Sequence, residues 1–271
     1  MMETDLCRNA QIGFLIIWVC EMKRVISFIL CFCFVIGLTS CGVDKNSLET
    51  EKIIAVKYGS SAEVAYEEYV YDGYTKITYN SSSDVILAVE NKKADCGVLD
   101  AFELNSYINS GRNIAEKEMC EYCIDYCAYF NVENKKLQEA FNKAIKELND
   151  NGTLDKIKKA HLKGESYFNN ASNNENGTLT MLCDPSFENR VYTDNEGDIV
   201  GLDVDLAREI CNYLGYDLQI VTADFDELFI KLDDGEGDFI ISACEVNKER
   251  AEYYLASDTY FTLNFYLIER A

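Results

Sequence analysis

Phe225-Asp226-Glu227-Leu228-Phe229-Ile230-Lys231-Leu232-Asp233-Asp234-Gly235-Glu236-Gly237-Asp238-Phe239-Ile240-Ile241-Ser242 contains one full step of an α/β pattern. Phe225, Leu228, Phe229 and Leu232 fall on one face at helical spacing. The acidic, glycine-containing stretch that follows ends the helix, and Asp238 opens a short apolar run over 238–242 of the kind that forms a buried strand. The same step occurs earlier in the chain: a helix over 84–90 ends near Val89, and Asp95 opens a strand over 96–99, six positions after Val89 just as Asp238 is six after Leu232.

Each of these two steps belongs to a βαβαβ unit. One has strands over 53–57, 76–79 and 96–99, with a helix after Ser60-Ser61. The other has strands over 179–183, 218–221 and 238–242, with a helix marked by Leu206, Ile210 and Leu214. Alternation of this kind predicts parallel sheets covered by helices, and two such lobes create a cleft at the carboxyl ends of their strands. Between the units, 122–130 reads as a strand leaving the first. Leu137, Phe141, Ile145 and Leu148 mark an amphipathic helix, Asn151-Gly152 breaks it, and a second helix covers 154–162. Residues 166–177, rich in Asn, Ser and Gly, read as a linker.

The chain has 271 residues, 48% of them apolar, enough for two lobes that each bury a core. Lys+Arg is 25 against Asp+Glu 47, a formal charge of −22, which excludes nucleic acid as a partner and favours cationic ligands. Met22-Lys23-Arg24, the apolar run 25–38 and Leu38-Thr39-Ser40-Cys41-Gly42 have the layout of an export signal. The ending resembles the bacterial lipobox, which implies lipidation at Cys41 and an exported protein anchored to the membrane, facing away from the cytoplasm. The earlier apolar stretch 12–20 is too short to span a membrane, so Met22 is read as the start of translation. Residues 42–51 read as a tether.

Seven cysteines follow Cys41: Cys96, Cys120, Cys123, Cys127, Cys183, Cys211 and Cys244. Cys120-x-x-Cys123 has metal-ligand spacing, but no second pair completes a zinc site and the single histidine is His161. Buried free thiols are expected and no metal or cofactor; a Cys183–Cys244 disulfide is the open alternative.

Residues from Thr178 onward resemble the start of the family 3 solute-binding proteins, the amino-acid receptors of ATP-binding-cassette importers. The matching pieces are Asp184-Pro185-Ser186-Phe187, the run from Gly197 to Leu206 with its Gly201-Leu202-Asp203-Val204-Asp205-Leu206 core, 238–242 and Glu249-Arg250-Ala251. Gly59-Ser60-Ser61-Ala62-Glu63, 93–100 and 141–157 resemble the family's later half, yet here they come first. The resemblance therefore implies a type II periplasmic-binding-protein fold in circularly permuted order. The lobe ordinarily second covers 52–130, the ordinary C-terminal helices cover 131–165 and pack on the other lobe, and the lobe ordinarily first covers 178–271. Both ends of the folded body are expected at the hinge; a tandem or a self-pairing fragment is the competing layout.

The resemblance also assigns a site for a free amino acid. Arg250 matches the arginine that grips the α-carboxylate, Ser60 and Ser61 a pair of small residues at a helix start that bind the same group, and Asp100 the aspartate that binds the ammonium. Asp184, Phe187 and Phe225 fall at positions that touch the ligand's side chain, and Ser242, Ala243 and Glu245 complete the loop before the arginine. Each also has an ordinary structural reading, as cap, turn or core residue. Glu188-Asn189-Arg190 replaces the family's two prolines and phenylalanine, and Glu245 replaces its Thr or Ser. Glu245 would sit close to a bound carboxylate unless it meets the ammonium or Arg250, and Arg190 could cancel one acidic charge. A monomeric receptor for a polar or cationic amino acid, delivering to a permease, is expected; a sensory or scaffold protein and a dehydratase-like enzyme are the alternatives.

Overall fold

The computed structural model describes residues 51–69, 73–167 and 175–271. The expected export signal, Met22 start, Cys41 and nearly all of the tether lie outside the described residues, as does the middle of the linker. In chain order the elements are β1 (Lys52–Lys57), α1 (Ser61–Glu68), β2 (Tyr74–Tyr79), α2 (Ser82–Glu90), β3 (Cys96–Asp100), α3 (Ala101–Asn109), β4 (Ile114–Tyr126), β5 (Tyr129–Asn131), α4 (Lys135–Asp150) and α5 (Thr153–Leu162). There follow β6 (Thr178–Cys183), β7 (Ser186–Phe187), β8 (Val191–Thr193), β9 (Ile199–Val200), α6 (Leu202–Leu214), β10 (Asp217–Thr222), α7 (Phe225–Asp233), β11 (Phe239–Ile240), β12 (Tyr254–Ala256) and β13 (Phe261–Arg270).

Two five-stranded sheets carry the architecture, ordered β2-β1-β3-β13-β4 and β10-β6-β11-β5-β12, with a small β7-β8-β9 sheet beside the second. The expected two-lobed α/β class is what forms. In each large sheet the three βαβ strands are parallel. The strand added next, β13 in the first sheet and β5 in the second, runs antiparallel to them, and the outermost, β4 or β12, pairs antiparallel with that strand and so runs with the βαβ strands. Gly97 allows the close approach at the centre of the first sheet: a Cβ there would stand 2.8 Å from Val85 Cγ1 and 3.3 Å from Ala55 O. Side-chain caps start the helices as their sequences foretell, with Ser60, Ser81 and Asp100 accepting from the amides of Glu63, Asp84 and Glu103.

The strand expected over 122–130 is two strands. β4 ends in the first sheet at Tyr126 and β5 starts in the second at Tyr129, so Cys127-Ala128 carries the chain between sheets. A second crossing runs back from β12 to β13 alongside it: the amide of Tyr260 donates to Tyr126 O at 3.0 Å, and that of Ser257 to Ala128 O at 2.8 Å.

Placing 178–271 in one lobe also needs correction, because β13 lies in the first sheet between β3 and β4. Its partners are remote in sequence, and local pattern carries no signal for them. β13 further overturns the expectation that the folded body begins and ends at the hinge. The crossings are at the carboxyl end of β1 and β3, whereas β1 starts and β13 finishes at the opposite end, where the amide of Ala271 donates to Asn113 O at 3.3 Å. A strand of 10 residues is long enough to cross the whole sheet.

Phe141, Ala144, Ile145 and Leu148 form the buried stripe of α4, which packs on β5 and α6. Phe130, Phe141 and Phe239 meet there, with ring centroids 4.9 Å apart for the first pair and 4.7 Å for Phe141 and Phe239. Phe141 is fully buried, so Phe141→Ala is expected to destabilise by about 3–5 kcal/mol, read as a lower midpoint in denaturant unfolding.

Candidate functional site

Ser60 follows β1, Asp100 ends β3 and Tyr126 ends β4, all at the carboxyl end of the first sheet. Asp184 follows β6, Phe225 opens α7 just past β10 and Ser242 follows β11, all at the carboxyl end of the second. The paired crossings join these two ends. The predicted residues thus fall into two groups on either side of the crossings, the placement expected for ligands in parallel α/β sheets.

In the first group, the Ser60 hydroxyl donates to Lys57 O at 2.8 Å and accepts from the Glu63 amide at 3.4 Å. Its bonds are those of an N-cap. The Gly59 amide is likewise held by Glu63 Oε2 at 2.7 Å, and Ser61 opens α1, half-buried. Asp100 Oδ1 accepts the Glu103 amide at 2.9 Å. Burial, followed by the charge of Glu103, pushes its carboxyl up to about 6. The charge of Lys57 opposes this shift but is outweighed by burial.

The second group is centred on Arg250, half-buried in a short 3-10 turn, whose guanidinium lies 5.3 Å from the ring centroids of both Phe225 and Phe229. Phe187 meets Phe225 edge-on at 5.7 Å. Among the described residues no carboxylate pairs with Arg250; its own amide is held by Asn247 Oδ1 at 3.0 Å. Phe229 was read from the sequence only as a core position; its i, i+4 relation to Phe225 is the signal that places both rings under one cation.

Asp184 is spent locally: Oδ1 accepts the Ser186 amide at 2.9 Å and Oδ2 the Phe225 amide at 3.1 Å. Ser242 Oγ accepts the Asp184 amide at 2.9 Å. Both fix the start of α7 and the loop beside it. Ala243 takes φ 46, a left-handed conformation strained for a residue with a Cβ, and its amide is gripped by Asp203 Oδ2 at 2.6 Å.

Glu245 is exposed, and its backbone bridges Tyr126 while its carbonyl accepts from Tyr129 OH at 2.8 Å. It makes no ion pair with Arg250 among the described residues. The expectation that Arg190 could cancel the charge of Asp184 or Glu245 is corrected, because Arg190 binds Asp203, through Nη2 at 2.8 Å and Nε at 3.1 Å. Its replacement of the family's phenylalanine was the sequence signal for an unusual interior, although its partner was not legible.

Tyr126 is a site residue the sequence reading missed. Burial raises its phenol to about 12, and it feels the charges of Arg190, Glu245, Asp203 and Asp100 together. Its phenol is therefore neutral near pH 7, and its backbone bridge to Glu245 ties the end of β4 to the loop that leads to Arg250.

The seven described cysteines are free, which overturns the Cys183–Cys244 alternative; six are buried and Cys123 is exposed. No grouping of His, Cys, Asp and Glu among the described residues could hold a metal, and no described helix is long and apolar enough to cross a membrane. A cavity of about 1060 Å³ beside β8 and β9, lined among others by His161, Tyr192, Asp205 and Arg208, includes none of the predicted ligand residues.

Two α/β lobes joined by paired crossings, with charged residues at both carboxyl ends, define a ligand-binding class of fold. Residues 179–271 match the family model described as bacterial extracellular solute-binding proteins, family 3, and the chain belongs to that family. It is 29% identical over 100 residues to the arginine-binding extracellular protein ArtP of Bacillus subtilis (strain 168), covering 36% of this chain and 39% of that protein. It is 38% identical over 71 residues to the membrane-bound lytic murein transglycosylase F of Klebsiella pneumoniae, covering 26% of this chain and 14% of that enzyme. The arginine-bound form of domain 1 from TmArgBP is 35% identical, with a TM-score of 0.31, over 35% of this chain and 80% of that one. The matches span less than half the length of the curated relatives.

Proposed function

We propose that this protein captures a free amino acid between its two lobes, gripping the α-carboxylate with Arg250 and the ammonium with Asp100. The observation that carries the reading is Arg250, a half-buried guanidinium laid on Phe225 and Phe229 with no carboxylate partner among the described residues. A fork of N–H donors held beside two rings, and not engaged by an acidic side chain among the described residues, is suited to a carboxylate. Asp100 supplies the complementary need, because an ammonium beside it relieves the burial that raises its pKa.

A cationic amino acid is the preferred ligand. The charge of −22 favours it, as do the arginine-binding names of the relatives. Export, lipid anchoring at Cys41 and delivery to an ATP-binding-cassette permease belong to the same proposal, as does a circularly permuted order. The order is supported by β13, which the family match includes, pairing beside β3, which precedes it in the chain.

A thermal-shift panel of the common amino acids on the exported form tests the reading. At about a hundredfold over Kd, the ligand is expected to stabilise by about 2.7 kcal/mol, raising Tm by about 5–10 °C. If none of them shifts the midpoint, the receptor reading fails. The similarity to the transglycosylase would then favour a domain that serves another activity by contact rather than capture.

A further inference from the structure

We infer that Arg190 is a positioning residue that couples the ligand loop, residues 242–250, to the two chain segments crossing between the lobes. The inference rests on the binding reading above. Arg190 is only 5% exposed and Asp203, its partner, is 0% exposed. The guanidinium is fixed to the second lobe by Asp203 Oδ1, and the Asp203 amide donates back to Arg190 O at 3.0 Å. Gly201 keeps this turn tight: a Cβ there would stand 2.3 Å from Arg190 O.

From that anchor the guanidinium reaches both crossings. It lies 4.0 Å from the ring centroid of Tyr126, the last residue of β4, and 4.7 Å from that of Phe261, the first of β13. Nη2 also donates to Tyr260 OH at 3.1 Å. Tyr126 and Phe261 are register partners, so Arg190 sits against the one cross-strand pair formed where both segments enter the first sheet.

On the other side, the second oxygen of Asp203 holds the Ala243 amide and with it the strained start of the ligand loop. Tyr126 then closes the circuit by bridging Glu245 in the same loop. Arg190, Asp203, Ala243, Glu245 and Tyr126 thus form one connected ring of contacts. A ligand drawn to Arg250 pulls on this loop, and the loop cannot move without moving Asp203 and Arg190 against the crossing rings.

Stability alone is a poor explanation for this arrangement. Nη1 of Arg190 is buried with no hydrogen-bond partner. An apolar side chain, such as the phenylalanine of the resembling sequences, would avoid that cost, and buried ion pairs are often replaced by apolar groups without loss.

The test is the double substitution Arg190→Met with Asp203→Asn. It removes the buried charge pair yet leaves an oxygen at 203 for the Ala243 amide. Tm is expected to stay within a few degrees of the parent, while the parent's best amino-acid ligand binds at least tenfold more weakly by calorimetry. In the ligand-free protein, the amides of Cys127 and Val246, which bond to Cys244 O and Asp125 O, are expected to exchange at least tenfold faster. Parent-like affinity and exchange would overturn the inference.

If the parent binds no amino acid, the receptor reading falls separately, and the exchange comparison still decides the coupling. Should the double variant not fold, Arg190→Lys serves. It keeps the charge beside Asp203 but cannot span the rings, so faster exchange at the same two amides is expected, and unchanged exchange refutes the role.

Discussion

Arg250→Ala is expected to remove ligand binding while leaving the fold in place. A carboxylate bound by a guanidinium in a partly buried site is worth about 3 kcal/mol on truncation, roughly a hundredfold in Kd. The structural cost is small by comparison. In the free protein Arg250 makes no ion pair among the described residues, and its side chain rests on Phe225 and Phe229, contacts worth about 0.5–1 kcal/mol each. Calorimetry and a melting curve on the same sample separate the two effects. Arg250→Lys is expected to recover only part of the affinity, since an ammonium cannot present the planar fork. An alanine variant that binds as the parent does would remove Arg250 from the site.

The second large effect is a pH profile set by Asp100. Its carboxyl titrates at about 6 in the ligand-free protein, against a reference value of 3.8, because burial and then Glu103 oppose its charge. An ammonium bound beside it favours the ionised form. Affinity is therefore expected to be flat above about pH 6.5 and to fall up to tenfold per pH unit below 6, with proton release on binding near pH 5.5.

The sign for stability is the reverse. A carboxyl whose folded pKa is raised disfavours the fold when ionised, so its penalty is fully present above pH 6 and disappears as pH falls toward 3.8. Asp100→Asn keeps the helix cap, since asparagine caps as well as aspartate. It is expected to raise the ligand-free stability at pH 7.5 by about 2–3 kcal/mol, to weaken binding about a hundredfold and to abolish the pH step. Calorimetry from pH 5 to 8 in buffers of differing ionisation heat checks all of this. A binding profile in the parent that is flat down to pH 5 would show that Asp100 does not meet the ammonium.

Legibility in the sequence followed the range of the interactions. The helices were read from their own periodicity: Phe141, Ile145 and Leu148 on α4, and Leu228 and Leu232 on α7, are buried as their spacing required. The capping roles of Ser60 and Asp100 were equally local, since an acceptor side chain three residues before the amide it serves needs no tertiary information. Arg250 was singled out by resemblance, but the rings beneath it were not, because Phe225 and Phe229 also satisfied a simple core pattern.

Contacts a few residues apart fix the content of the two lobes: two βαβαβ units, their helices and their caps. How the units connect depends on pairings between residues far apart in the chain. β13 leaves the lobe whose sequence it follows because its backbone groups find partners at 97–100 and 114–126, and a strand of either lobe would present the same alternation. Likewise nothing near Arg190 in sequence distinguishes Asp203 from the other carboxylates, or Tyr126 from the other tyrosines. A buried charge is placed by whichever partners the fold encloses with it, and the crossings of this fold enclose those.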